Sequence, residues 1–484
     1  MLFNSIAFLL FFPVVTALYF LLPYRFRWML LLAASCFFYM FFKPVYILIL
    51  FFTIIIDYIA GILIENAEGP RRKFYLLWSL IANIGVLAIF KYFNFINGNI
   101  TAMLTTAGMG NPIPFLKILL PIGLSFHTFQ AMSYTIEVFR GNQKAERNFG
   151  IYALYVMFYP QLVAGPIERP QNILHQFYEK HDFSYARAVS GFRLMLMGFF
   201  KKVVIADRMS LVVNQVFAHP ADQNGLTHLI AMYFFTIQIY CDFSGYSDIA
   251  RGCARVMGYE LMLNFKLPFL VRSIQEHWAK WHISLSSWFR DYLYIPLGGN
   301  RVPIWRRQIN IFIVFFISGL WHGANWTYII WGSLHGIYLI MANIRRMIFK
   351  TKEEDSKSFF IDFLNWFWTF HLIVITFIVF RAGSMPEAWH TFVSIATTTH
   401  IAVINYLHHI PVLKGLGRFD IATIILLFMG AIGLVGGEYL VNTPSFRAVF
   451  YRQASLRWAM YFAIFYAIIF LGYFGETQFI YFQF

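Results

Sequence analysis

Residues 318–326, "SGLWHGANW", set a histidine between a tryptophan and a glycine directly after the apolar run "INIFIVFFI". An ionisable side chain inside an apolar span costs on the order of 2.5–3.5 kcal/mol to insert, so His322 needs a reason to be there. Burial favours the neutral imidazole, the form that accepts a proton, and the chemistry this suggests is general-base catalysis. Gly319, Gly323 and Gly336 provide low-volume positions where a helix or ligand can approach, and Trp321, Trp326 and Trp331 provide rigid walls. The same residues also fit a packed histidine bonded to a neighbouring helix, and the local sequence leaves both readings open.

A second histidine, His282, lies in "EHWAKWHISLSSWFRD" with Ser284, Ser286, Ser287 and Arg290 close behind it. His277 and His282 lack the HExxH spacing that places two zinc ligands on one helix face beside a general base, so a zinc protease is excluded. His282 with Ser284 and Arg290 fits a polar mouth or tunnel, or else a solvated histidine at the membrane surface. His335 follows His322 by several helical turns, too far to share one site on a continuous helix, and reads as structural. Two polar islands interrupt apolar runs: "IQIYCDFSGYSDIARG" carries Gln238, Asp242, Ser244 and Asp248, and "MFYPQLVAGPIERP" carries Gln161, Glu168 and Arg169. Asp242 and its neighbours suit either a polar network among helices or the lining of a substrate path; Asn325 and the stretch 125–127 carry the same two readings.

The elements that must position these groups belong in a bilayer. Of 484 residues, 59% are hydrophobic and 13% charged, against roughly 25% charged in an average soluble domain. Apolar runs long enough to cross a hydrocarbon core about 30 Å thick recur from end to end, without the short alternation of barrel strands. Candidate spans lie near 5–22, 28–48, 49–65, 75–96, 115–139, 150–165, 190–216, 226–250, 308–330, 331–349, 359–380, 420–441 and 456–474. The expectation is an all-α polytopic membrane protein with about eleven spans plus re-entrant or interfacial helices, forming a single domain over 1–484. The opening run lacks a basic n-region and a small-residue cleavage site, and reads as a retained span. Residues 258–307 are less apolar and mix Trp278, Trp281, Trp288, Tyr292 and Tyr294 with basic side chains, as short helices at the headgroup level would.

The net charge is +15, from 38 Lys+Arg against 23 Asp+Glu, with basic clusters at 71–73, 140–147, 301–307 and 345–352. In short loops this is an orientation signal facing anionic lipid, and no nucleic-acid partner is expected. Cys36, Cys241 and Cys253 show no CxxC spacing, so neither a disulfide framework nor a metal centre is expected.

These motifs together resemble the membrane-bound O-acyltransferase superfamily. "EHWAKWHISLSSWFRDYLYIPLGGNR" followed by "SGLWHGANWTYIIWGSLHG" looks like its core, and "CDFSGYSDIARG", "LPIGLSFHTFQAMSY", "AGPIERP", "FKYFNF" and "FIVFRA" resemble the bacterial branch that acylates alginate, peptidoglycan and teichoic acid. The resemblance implies a ring of helices around a tunnel, multi-pass in the bacterial inner membrane. It implies that His322 is the catalytic histidine and His282 a second histidine nearer the cytoplasmic mouth. The implied donor is acetyl-CoA, the implied acceptor a polysaccharide hydroxyl outside the membrane, alginate-like before peptidoglycan, and a periplasmic acetyltransferase completes the transfer. Trp indoles such as Trp321, or Asn325, are then candidate oxyanion donors. The closing "GETQFIYFQF" resembles the terminal peptide of the small partner protein of teichoic acid D-alanylation. On that likeness Tyr481 accepts the acyl group or orients the acceptor; otherwise the stretch is an aromatic anchor. Two other classes stand against these readings: a transporter, which should show paired halves that this sequence lacks, and a scaffold whose His322 would tolerate replacement.

Overall fold

The computed structural model describes residues 1–118, 120–349, 358–407, 421–475 and 479–480, and among these every regular element is a helix. Among the described residues, five helices are long and apolar enough to cross a membrane: Pro44–Asn66, Pro70–Thr106, Phe359–Arg381, Thr423–Asn442 and Ala454–Leu471. A helix satisfies its own backbone donors and acceptors, which is the condition lipid imposes. The chain is therefore a multi-pass helical membrane protein, and its contacts part it into two compact units, 1–195 with 246–263 and 196–245 with 264–484.

In the first unit, helices Ile47–Asn66, Pro70–Leu87 and Leu124–Arg140 enclose a buried carboxylate. Asp57 accepts hydrogen bonds from the Ser79 hydroxyl at 2.6 Å and the Asn83 amide at 2.9 Å. Gly61 admits the Tyr134 ring, which an added Cβ would meet at 2.7 Å. The run expected as a span over 115–139 becomes helical only from Leu124. Pro112, Pro114 and Pro121 lack donors and restrict the residues before them, and Gly123 turns the chain at φ +79°. The run over 150–165 likewise ends at Met157 and resumes as the short turn Tyr159–Leu162 around Pro160.

In the second unit, a π-helical turn, Phe200–Ala206, leads into helix Asp207–Ala218. Such wide turns recur at functional sites, and this one carries Lys201 and Lys202, both buried. The stretch 264–301 forms the short helices expected of it, Ile274–Lys280 and Ile283–Phe289, followed by a π-helical turn, Arg290–Tyr294. The largest correction to the expected boundaries falls on the opening motif. One helix ends at His322 and the next runs Trp326–Phe349, so "SGLWHGANW" is a helix junction and not the middle of a span. Helix Met385–Leu407, which alternates threonine and serine with apolar residues, has no counterpart among the expected spans.

Candidate active site

The site is built within the second unit, starting from a two-glycine contact. A Cβ on Gly319 would meet the Tyr328 carbonyl at 2.3 Å, and one on Gly332 would meet the Phe315 carbonyl at 2.3 Å. Helices Ile304–His322 and Trp326–Phe349 therefore touch backbone to backbone, as small residues allow between membrane helices. That contact brings Trp331 to the end of the first helix. The His322 ring lies 4.9 Å from Trp331, perpendicular to it, 5.0 Å from Trp321 and 5.8 Å from Phe380. The imidazole is 3% exposed, boxed by three aromatic rings.

His282 is held by a different device. Its backbone is left-handed at φ 43°, a conformation that histidine tolerates better than branched residues. Asn264 fixes the turn: its carbonyl accepts the Ile283 N–H at 2.9 Å and its side-chain oxygen accepts the Ser284 hydroxyl at 2.7 Å. The imidazole is fully buried, edge-on to Phe243 at 4.6 Å and 6.1 Å from Trp321. Burial pushes its pKa down to about 3, so it is a neutral ring at physiological pH. Trp321 thus contacts both histidines.

The buried charges beside this site are paired. Lys202 reaches Asp207 at 2.8 Å and Asp242 at 2.7 Å, and Lys201 pairs with Glu438, which also accepts the Tyr240 hydroxyl at 2.7 Å. Asp242 accepts the backbone N–H of Ile480 at 2.8 Å, and Phe479 packs 5.9 Å from Phe243, the ring that touches His282. The segment 479–480 therefore runs into the neighbourhood of His282.

Of the residues singled out in the sequence, His282, Trp321 and His322 come together through ring contacts, and Asp242 joins them by way of the Ile480 and Phe479 segment. Ser284 is buried and spends its hydroxyl on Asn264. Asn325 donates to the Gly383 carbonyl at 3.0 Å and accepts the Thr327 N–H at 3.2 Å, so its amide braces the junction. Arg290 is exposed and pairs with Asp291 at 2.8 Å. Tyr481 lies outside the described residues. His335 is bonded on both nitrogens: Nδ1 accepts the Trp278 indole N–H at 3.3 Å, and Nε2 donates to Thr376 Oγ1 at 3.0 Å. Among the described residues, no three of His, Cys, Asp or Glu converge as metal ligands.

Sequence reasoning missed Asn264, Phe243 and Phe380. Asn264 carries a faint signal, a lone amide in an irregular stretch, but the aromatic residues are indistinguishable from the others in a chain that is 20% aromatic.

A buried imidazole in an aromatic box, with a second buried histidine packed on the same Trp321 ring, is equipped to accept a proton. A probable alginate O-acetylase of Pseudomonas aeruginosa is 37% identical over 438 residues, spanning 89% of this chain and 81% of its own. One from Azotobacter vinelandii is 38% identical over 396 residues, spanning 81% of this chain and 77% of its own. A peptidoglycan O-acetyltransferase of Helicobacter pylori is 32% identical over 388 residues, spanning 74% of this chain and 71% of its own. The sequence profile of the membrane-bound O-acyltransferase family matches residues 138–381, a range that holds both histidines and the helix junction at His322, and it is to this family that the chain belongs.

Proposed function

We propose that this acyltransferase takes acetyl from cytoplasmic acetyl-CoA and passes it across the inner membrane to hydroxyls of an extracytoplasmic polysaccharide of the alginate type. The observation that carries the reading is His322, enclosed by Trp321, Trp331 and Phe380 at a helix junction inside the family's matched region. The alginate O-acetylases among the relatives support the acceptor class. The whole chain serves this one function, with about eleven spans surrounding a tunnel, and a periplasmic acetyltransferase completes delivery.

In the proposed step, His322 removes the proton from the attacking hydroxyl as its oxygen bonds to the thioester carbonyl carbon. The carbonyl electron pair moves onto oxygen, then returns as the carbon–sulfur bond breaks, and the departing thiolate takes the proton from His322. His282, neutral and buried beside Trp321, shapes the donor side near the cytoplasmic mouth. Ser284 and Asn325 stiffen the walls, and Arg290, exposed at the interfacial segment, meets the phosphates of the donor. Asp242 holds the segment that leads to Tyr481, which orients the acceptor or carries the acetyl group transiently.

The test is acetyl transfer from labelled acetyl-CoA by protein reconstituted in vesicles, together with glycan analysis of the producing strain. His322→Ala should insert and fold yet transfer nothing. Normal acetylation by that variant would overturn the mechanism. Acetyl missing from peptidoglycan instead of alginate in a deletion strain would assign the acceptor of the Helicobacter pylori relative. Tyr481→Phe should stop transfer, and full turnover by it would remove Tyr481 from the reaction.

A further inference from the structure

We infer that the indole N–H of Trp331 is the hydrogen-bond donor to the acyl oxygen as negative charge develops on it at His322. The inference rests on the proposed role of His322 as general base.

Three observations lead to Trp331. Its side chain is 2% exposed, and its Nε1 meets no acceptor among the described residues. Buried donors are nearly always paired, and a buried tryptophan N–H ordinarily finds a partner, so an unpaired one beside a reactive group points to a ligand atom. The indole also stands perpendicular to the His322 imidazole with ring centres 4.9 Å apart, within reach of an atom that His322 also contacts. Finally, two other donors near the junction are already engaged. The Asn325 amide donates to the Gly383 carbonyl, and the Trp278 indole donates to His335.

The ring is also held still, which electrostatic stabilisation requires. His335 packs against Trp331 at 5.0 Å and Phe380 at 5.0 Å, each steeply inclined to it. His335 is itself locked by Trp278 and Thr376. The donor is therefore aligned before the substrate arrives.

In the reaction the hydroxyl oxygen bonds to the thioester carbon while His322 takes the proton. The carbonyl pair becomes an oxyanion that accepts the Trp331 N–H bond. When the pair returns and the carbon–sulfur bond breaks, the proton passes from His322 to the thiolate. Trp331 neither gains nor loses a proton.

The experiment uses the full chain in vesicles with acetyl-CoA and an oligomannuronate acceptor, following free thiol release and acetyl transfer. Trp331→Phe keeps a flat ring and removes the donor. It should lower kcat by about 10²–10³-fold with little change in KM for acetyl-CoA, as loss of one oxyanion donor does. Replacement of Trp331 by 3-benzothienylalanine, which puts sulfur where the N–H stands, should give the same loss with an unchanged melting temperature, so a packing defect is told apart. An unchanged kcat in the benzothienyl protein, or a loss confined to KM, would overturn the inference. His322→Ala measured alongside keeps the two ideas separate: if it is inactive while the benzothienyl protein is fully active, the base stands and the donor falls. Should His322→Ala prove active, the reading beneath both falls.

Discussion

The carboxylate of Asp242 accepts the backbone N–H of Ile480 at 2.8 Å, a buried bond between residues far apart in the chain. Lys202 holds the other oxygen of Asp242 at 2.7 Å, which fixes the orientation of the acceptor. Asp242→Ala should destabilise the protein by about 3 kcal/mol, because Lys202 keeps Asp207 but loses one of two buried partners. It should also free the segment. In a Cys36→Ser background, Phe479→Cys should react slowly with a maleimide and markedly faster once Asp242→Ala is added. Equal labelling rates would show that the carboxylate does not hold this segment.

Asn264 governs the backbone at His282 from outside the motif. Asn264→Ala leaves the buried Ser284 hydroxyl without its acceptor, costing about 1–3 kcal/mol, and loosens the left-handed turn. Ser284→Ala added to Asn264→Ala should cost little more, since the pair acts as a unit. Thermal melts of the two single variants and the double variant check this, and simple additivity would refute the coupling.

The approach of the two site helices depends on having no side chain at Gly332. Gly332→Ala places a methyl 2.3 Å from the Phe315 carbonyl. The helices must move apart, at a cost of about 1–3 kcal/mol for overpacking. Because Trp331 is the adjacent residue, acetyl transfer should fall further than stability alone explains. Activity scaled to folded protein is the measurement, and full activity per folded molecule would separate the contact from the site.

The pH response of His282 has a definite sign. Its ordinary pKa of 6.5 drops to about 3 when the protein folds. Between those values the unfolded chain binds a proton that the folded one refuses, so stability rises with pH. The contribution is complete above about pH 6.5 and is lost progressively as pH falls toward 3. Melting temperature should therefore decline more steeply from pH 6.5 to 5 in the native protein than in His282→Gln. Parallel curves would mean that burial does not perturb this imidazole.

Much of this site was legible in the sequence. His322, Trp321 and the glycines stood out because polar and small residues are conspicuous in an apolar run, and the order of the motifs carried the family resemblance. The interfacial helices of 264–301 were legible for the same reason, as a mixture of tryptophan and basic residues. Span boundaries were less so. Hydropathy sums over proline and glycine without registering that they end helices, so the runs at 115–139, 150–165 and 308–330 read as continuous where the chain breaks.

What the sequence determined by itself was local: helical periodicity, apolar length, and residue types whose burial demands a reason. The pairing of Lys202 with Asp242 and of Asp242 with Ile480, the turn that Asn264 imposes on His282, and the choice of Trp331 as the indole facing His322 were decided by tertiary structure. Each of these depends on atoms from distant parts of the chain meeting within a few ångströms, and hydrogen bonds and ring contacts fall off too steeply with distance for composition or spacing to report them.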